Sequence, residues 1–242
     1  MKTFTLWANI LILFTACSGD NETSILNCSK DKAASNLMLR KTGLYPENAE
    51  NTFDAAGQLQ NDIIEIYLAQ GNPPGTTATA ISNVESIANA NAEFQALRPD
   101  NYTSPLASRI DYIMNKQAEG LSIIDNSSMS LNAKLSLTGF ISTVMSYRDL
   151  QKEYDFIYKF IIDYETGIVA DNALTSNDKK IILTTTSITR YGFYFASKHR
   201  RKPRDRDWDI SWGHIIAATD GSEESTASAI VKSTVCGIIT NE

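Results

Sequence analysis

A repeated helical spacing of apolar residues, with no alternating segment to set against it, most constrains the fold. Between Thr52 and Gln70, the residues Leu59, Ile63, Ile66 and Tyr67 recur at intervals that line one face of a helix. Asn51 or Thr52 is placed to cap its start. Gly71, followed by Pro73 and Pro74, ends it, because glycine accepts left-handed backbone and proline cannot continue a helix. An Ala-rich helix is predicted from about Ala78 to Leu97, stopping before Pro99. Ser104 and Pro105 supply a capping hydroxyl and a first-turn proline for another helix. It carries Leu106, Ile110, Ile113 and Met114 on one face, with Gly120 near its end.

Asp125 to Ser130 is polar and reads as a loop. From Leu131 the spacing strengthens, with Leu131, Leu135, Thr138, Val144 and Met145 on one stripe. Tyr154, Ile157, Tyr158, Ile161 and Glu165 belong to a further helix or to a continuation of that one. Ser176, Asn177 and Asp178 offer caps before Ile181, Ile188, Tyr191 and Phe195. Ser222-Glu223-Glu224 reads as the capped, acidic start of a C-terminal helix. Its small residues Ala227, Ser228, Ala229, Ser233 and Gly237 suit close packing, and it is too polar to cross a membrane. Thr184-Thr185-Thr186 is β-branched, but helical spacing on both sides outweighs it. No series of alternating strands is visible, and no repeat of fixed period. The expected fold is all-α, an irregular multi-helix bundle of about seven helices.

The N-terminus has a different character. Lys2 precedes an apolar stretch from Leu6 to Phe14, interrupted by Asn9. This is shorter than the roughly 20 apolar residues a membrane span needs, and its length fits a signal peptide. It ends in Phe14-Thr15-Ala16-Cys17, which resembles a bacterial lipobox, with Phe14 standing where leucine is usual. That resemblance implies a lipidated Cys17 as the first mature residue. Each buried acyl methylene contributes about 0.8 kcal/mol, and two chains make a stable anchor. The bland reading is a secreted protein with an unmodified cysteine. Ser18-Gly19-Asp20-Asn21-Glu22 resembles the acidic tract that follows the lipidated cysteine in surface-exposed Bacteroidetes lipoproteins, and it also suits any solvated tether. The expected organisation is a signal peptide over 1–16, the lipidated cysteine and tether over 17–29, and one helical domain over 30–242. The expected location is the outer membrane, facing the periplasm or the cell surface.

Apolar residues make up 43% of the chain and charged residues 21%, within the range of a folded domain. A net charge of −6 argues against nonspecific nucleic-acid binding, which needs a basic surface. With Cys17 carrying lipid, Cys28 and Cys236 remain, and an extracytoplasmic compartment permits a bridge between them. The alternative is two separate buried thiols.

No motif for catalysis, phosphate binding or dinucleotide binding is present. His199 and His214, the two histidines, lack partners at metal-binding spacing, so no metal or cofactor is expected. The segment from Lys198 to Asp209 is the most unusual locally. Lys198, Arg200, Arg201, Lys202 and Arg204, with Trp208, form a candidate anion or partner patch. Its bland reading is an exposed loop with locally paired charges. A calcium loop over Asp205, Asp207 and Asp209 fails, because Ile210 and Ile216 occupy the glycine and carboxylate positions such a loop requires. Trp208 and Trp212, four apart, would share a face if helical. They are core anchors by default, or an exposed platform for a glycan or protein partner.

Glu50 to Asn61 resembles a recurring segment of uncharacterised Bacteroidetes secreted and lipid-anchored proteins, roughly N-P-Y-D-x-x-G-x-x-H-N. Thr52 departs from its proline and Gln60 from its histidine. Asp178 to Tyr194, then Trp208, Asp209 and the small-residue tail, resemble the same group. The resemblance implies an all-helical fold and a Flavobacteria-like origin, and no activity. The functional expectation is a non-catalytic binding or structural protein of the envelope, with a protein or glycan partner. Two other classes stand beside it: an envelope hydrolase whose site is assembled only in three dimensions, and a lipid-anchored immunity or inhibitor protein.

Overall fold

Ten helices make up the regular structure of the computed structural model among its described residues, 44–71, 75–115, 120–199 and 208–241. In chain order they are α1 (Asp54–Ala69), α2 (Thr77–Asn89), α3 (Ala92–Leu97), α4 (Ala107–Asn115), α5 (Gly120–Asp125), α6 (Leu131–Asp149), α7 (Tyr154–Ala170), α8 (Ser176–His199), α9 (Trp212–Glu224) and α10 (Thr226–Asn241). No strand occurs among these residues, so the class is all-α. The count exceeds the seven or so expected, and local chemistry accounts for the difference.

The Ala-rich stretch breaks in two. Asn91 adopts extended backbone, and its side chain accepts from the backbone N–H groups of Glu93 and Phe94 at 2.8 and 3.2 Å, starting α3 afresh. Gly120 opens the short α5 instead of closing α4. Ser222-Glu223-Glu224 ends α9 instead of starting the last helix. Ser225 is the hinge, its hydroxyl accepting from Ser228 N–H at 3.0 Å to cap α10. α6 and α7 are separate, divided by a turn in which Gln151 takes φ +51°. Gly71 has φ +61°, the left-handed backbone expected where α1 ends.

Three helices form the centre. α8 is buried without interruption from Ile181 to Phe193, and α10 from Ala227 to Ile238; α9 is buried from Gly213 to Ser222. α8 packs on α1, α7 and α9, while α10 packs on α9, α1 and α2. Several of the buried hydroxyls bond within their own helices. Thr189 donates to Thr185 O at 2.8 Å, Ser222 to Ala218 O at 2.7 Å and Thr234 to Ile230 O at 2.7 Å. The Thr184-Thr185-Thr186 run is helical and wholly buried, and two of its hydroxyls reach neighbouring helices: Thr185 donates to Thr219 of α9 at 3.3 Å and Thr186 to Glu165 of α7 at 2.7 Å.

Small residues bring the central helices into backbone contact. A Cβ on Gly57 of α1 would meet Ser187 O of α8 at 2.5 Å, and one on Gly221 of α9 would strike the backbone of Ala229 in α10. On α6 the buried stripe is Ala133, Leu137, Phe140, Ile141, Val144 and Met145. Leu131 and Leu135, expected on the inner face, are 70% and 65% exposed. α6 carries two overlapping apolar stripes, and the one holding Phe140, whose ring stacks on Tyr164 of α7, faces inward.

Candidate functional site

The segment from Glu50 to Asn61 builds a buried junction between α1, α7 and α8. Arg190 of α8 is fully buried; its Nη2 donates to Asp54 of α1 at 2.5 Å and to Glu165 of α7 at 3.3 Å, and its Nη1 donates to Pro46 O. Glu165 also accepts from Asn48, Asn51 and Thr186, at 2.6, 2.9 and 2.7 Å. Burial alone would make the guanidinium less basic, but Glu165 and Asp54 outweigh it and raise its pKa. Gln60 lies within 2.9 Å of His214 Nε2. That imidazole is enclosed on all sides, and burial lowers its pKa to about 4, so it is neutral at neutral pH. Asn51, Gly57, Gln60 and Glu165 are all buried, and they join the helices around them.

Of the residues singled out in the sequence, Cys17, Cys28, Arg200, Arg201, Lys202 and Arg204 lie outside the described residues. Lys198 is exposed, its ammonium 4.1 Å from the ring centre of Tyr194. Trp208 is 5% exposed and packs edge-on against Phe195, which makes it a core anchor and removes it from any surface patch. It also precedes α9, while Trp212 begins it, so the two tryptophans share no helix face. Cys236 is a buried thiol on α10, and desolvation pushes its pKa up.

A second cluster of charge lines an open cleft of about 450 Å³ where α4, α5, α9 and α10 come together. Its floor is an ion network. Asp220 of α9 accepts at Oδ1 from Arg109 Nε at 3.1 Å and from Arg109 Nη2, and at Oδ2 from Lys232 Nζ at 2.8 Å. Lys232 of α10 also donates to Glu224 at 2.6 Å. Asp220 and Lys232 are almost fully buried, whereas the Arg109 and Glu224 side chains are 42% and 51% exposed. Burial would raise the pKa of Asp220, but Arg109 and Lys232 outweigh it and hold the carboxyl ionised. Glu223, one residue before Glu224, accepts through Oε2 from Ser128 N–H at 3.0 Å. Its other oxygen, Oε1, is shielded from solvent and has no protein donor. Ser104, Asn126 and Ser127 complete the polar wall, and Leu106 stands 71% exposed at the rim.

Sequence reasoning missed this site. Ser104 was legible only as a helix cap, and Glu223 and Glu224 only as acids near a helix start. One signal was present: Lys232 is the sole charged residue between Thr226 and Asn241, in a segment of small and apolar residues. A lysine there needs a buried acid. Compared with protein-family models, with curated proteins and with solved structures, the chain matches none.

Proposed function

We propose that this protein is an outer-membrane lipoprotein, anchored through Cys17, whose helical domain binds a small polar ligand of the envelope. The observation that carries the binding reading is the cleft floored by Arg109, Asp220, Lys232 and Glu224. Charged groups withdrawn from water contribute little to stability beyond what apolar packing would give. A fixed network of them beneath an open volume of ligand size therefore points to recognition. The anchoring half rests on the lipobox-like Phe14-Thr15-Ala16-Cys17 and on the acidic tract after it. No helix among the described residues is long and apolar enough to cross a membrane, so acyl chains supply the attachment in this reading.

Both halves are open to direct test. Cys17→Ser should move the protein from the membrane fraction to the soluble fraction; persistent membrane association overturns the anchor. Native mass spectrometry of protein extracted from membranes should show a discrete small-molecule adduct, lost in the double variant Asp220→Asn, Lys232→Met. Equal adducts in both proteins would overturn the cleft.

A hydrolase is the second reading, favoured by the convergence of Asp220, Glu223 and Glu224 on one cleft. Acid–base hydrolysis by paired carboxylates needs one of them protonated to release the leaving group. Asp220 is held in the opposite state by two cations. Turnover of an envelope glycan or peptide that Glu223→Gln abolishes would favour this reading over binding.

A further inference from the structure

We infer that the end of the bundle where the chain enters the described domain is seated in the headgroup layer of the membrane, an inference that deepens the reading of Cys17 as the anchor and rests on it. Anchored at Cys17, the chain reaches the described residues first at Leu44. Tyr45 packs against Tyr194 near the end of α8, with ring centres 6.3 Å apart. Tyr194 in turn meets Tyr154, the first residue of α7, at 5.5 Å. Tyr158 fastens the entering chain by donating to Glu47 O at 3.1 Å. Phe156 stands in the same first turn of α7 as Tyr154, about 3 Å further along the axis. Its ring meets Tyr147 edge-on at 5.0 Å, and Leu150 lies in the adjoining turn between α6 and α7. One end of the bundle thus carries the chain entry, the α6–α7 turn and the last turns of α8.

Apolar side chains stand in water at this end. Leu44, Tyr45, Leu150 and Phe156 are 43%, 67%, 64% and 51% exposed. Exposed apolar residues are ordinary one at a time; these four surround the point through which an anchor at Cys17 holds the domain. Lysines stand over the rings, Lys198 Nζ 4.1 Å from the centre of Tyr194 and Lys152 Nζ 5.6 Å from that of Phe156. Tyrosine and lysine each join an apolar body to a polar tip, the combination that suits the boundary between headgroups and acyl chains. Glu47, Asp149, Glu153 and Asp155 lie among these residues, so the rings and leucines supply the contact and the described charges do not. Attachment through Cys17 makes the contact intramolecular, and a patch too small to hold a free protein on a bilayer can still orient an anchored one. A second copy is the competing occupant. The apolar area of four part-exposed side chains is small against the roughly 800 Å² per partner that a stable dimer buries.

The test places a nitroxide label on the lipid-modified protein in vesicles of phosphatidylethanolamine and phosphatidylglycerol. Cys28→Ser removes a competing labelling position, and Cys236 is buried. The label goes on Leu150→Cys or, as a reference, on Leu131→Cys, a similarly exposed position about 27 Å away along α6. Collisions with a water-soluble nickel chelate are compared with those in the unlipidated Cys17→Ser protein in buffer. Vesicles should lower the collision rate at position 150 severalfold and leave position 131 unchanged. Tyr45→Ser combined with Phe156→Ser, both at exposed positions, should abolish that difference. Protein that floats with the vesicles yet shows equal collision rates at the two positions would overturn the seating and leave the anchor standing. Protein that does not float with them would overturn both. Protection at position 150 that vanishes on dilution to single copies per vesicle would also overturn the seating, and would mark the patch as a contact between copies.

Discussion

Arg190 of α8 and Glu165 of α7 meet 3.3 Å apart with both side chains wholly withdrawn from water. Asp54 of α1 closes the group from the other side at 2.5 Å. Three helices, α1 and the consecutive pair α7 and α8, are thus held by one guanidinium, with Asn48, Asn51 and Thr186 filling the remaining acceptor positions of Glu165. Replacing Arg190 with Met keeps most of the volume and leaves Glu165 as an uncompensated buried charge. Arg190→Met should lower unfolding free energy by about 3–5 kcal/mol, read from urea denaturation. Adding Glu165→Gln should recover a substantial part of that loss, because the charge left behind is then removed. A loss below about 1 kcal/mol for the single variant would show that the group is not a structural junction.

The turn between α6 and α7 holds a smaller defect. Gln151 N–H bonds Arg148 O at 2.8 Å and Lys152 N–H bonds Tyr147 O at 3.0 Å, the paired bonds of a Schellman motif. The left-handed position of that motif is normally glycine, and here it is Gln151 at φ +51°. A side chain there costs about 1–2 kcal/mol, partly offset by the greater unfolded-state freedom of glycine. Gln151→Gly should therefore raise stability by about 0.5–1 kcal/mol, seen as a higher denaturation midpoint. A lower midpoint would mean that the Gln151 side chain makes a favourable contact outweighing its backbone strain.

These two sites show where the sequence was readable. The periodicity of α1 and the stop at Gly71 were plain, because spacing and turn chemistry are local. Asn91 hid a helix break, since it is one of several asparagines and serines in an Ala-rich stretch and only the structure shows which of them turns its side chain back as a cap. Leu131 and Leu135 were misplaced because α6 carries two apolar stripes, and the choice between them depends on Tyr164 and Phe160 of α7. Neither the junction nor the cleft could be read from spacing. Asp54 lies far along the chain from Glu165 and Arg190, as Arg109 does from Asp220, and the fold alone brings them together. Lys232 was the one residue whose isolation in a small-residue helix announced a buried partner.

His214 gives the fold a pH dependence of known sign. Its pKa falls from an ordinary 6.5 to about 4 because burial disfavours the imidazolium. Between these values the unfolded chain binds a proton that the folded protein does not. Stability therefore decreases as pH falls from 6.5 towards 4, by on the order of 3 kcal/mol from this group, and is fully present above 6.5. Asp220 and Asp178, whose pKa values are lowered, contribute stability that is lost at lower pH still, through their folded pKa values. Urea denaturation across the range, comparing the protein with His214→Gln, isolates the histidine. The difference in stability between the two should shrink steadily from pH 6.5 to 4. A constant difference would show that the folded imidazole binds its proton as the unfolded one does, its pKa unshifted by burial.

Gly221 and Gly139 allow the same substitution to be made with opposite expected signs. Both lie within helices, α9 and α6, where alanine is intrinsically better by about 1 kcal/mol. At Gly139 a Cβ meets nothing within 4 Å, so Gly139→Ala should stabilise by about that amount. At Gly221 the Cβ strikes the backbone of Ala229 and Ser228, which no rotamer change can relieve. The α9–α10 crossing must open, at a cost of about 1–3 kcal/mol for overpacking, which exceeds the propensity gain. Gly221→Ala should thus destabilise, and its effect should extend beyond stability. Asp220 is the adjacent residue, and its bond to Lys232 spans the same crossing at 2.8 Å. Widening the crossing draws Asp220 away from Lys232 and loosens the floor of the cleft. Under conditions where the variant remains folded, chemical shifts of cleft residues in α4 and α5 should therefore move in Gly221→Ala and stay in place in Gly139→Ala. Stabilisation by both substitutions would show that α9 and α10 do not approach through Gly221 in solution.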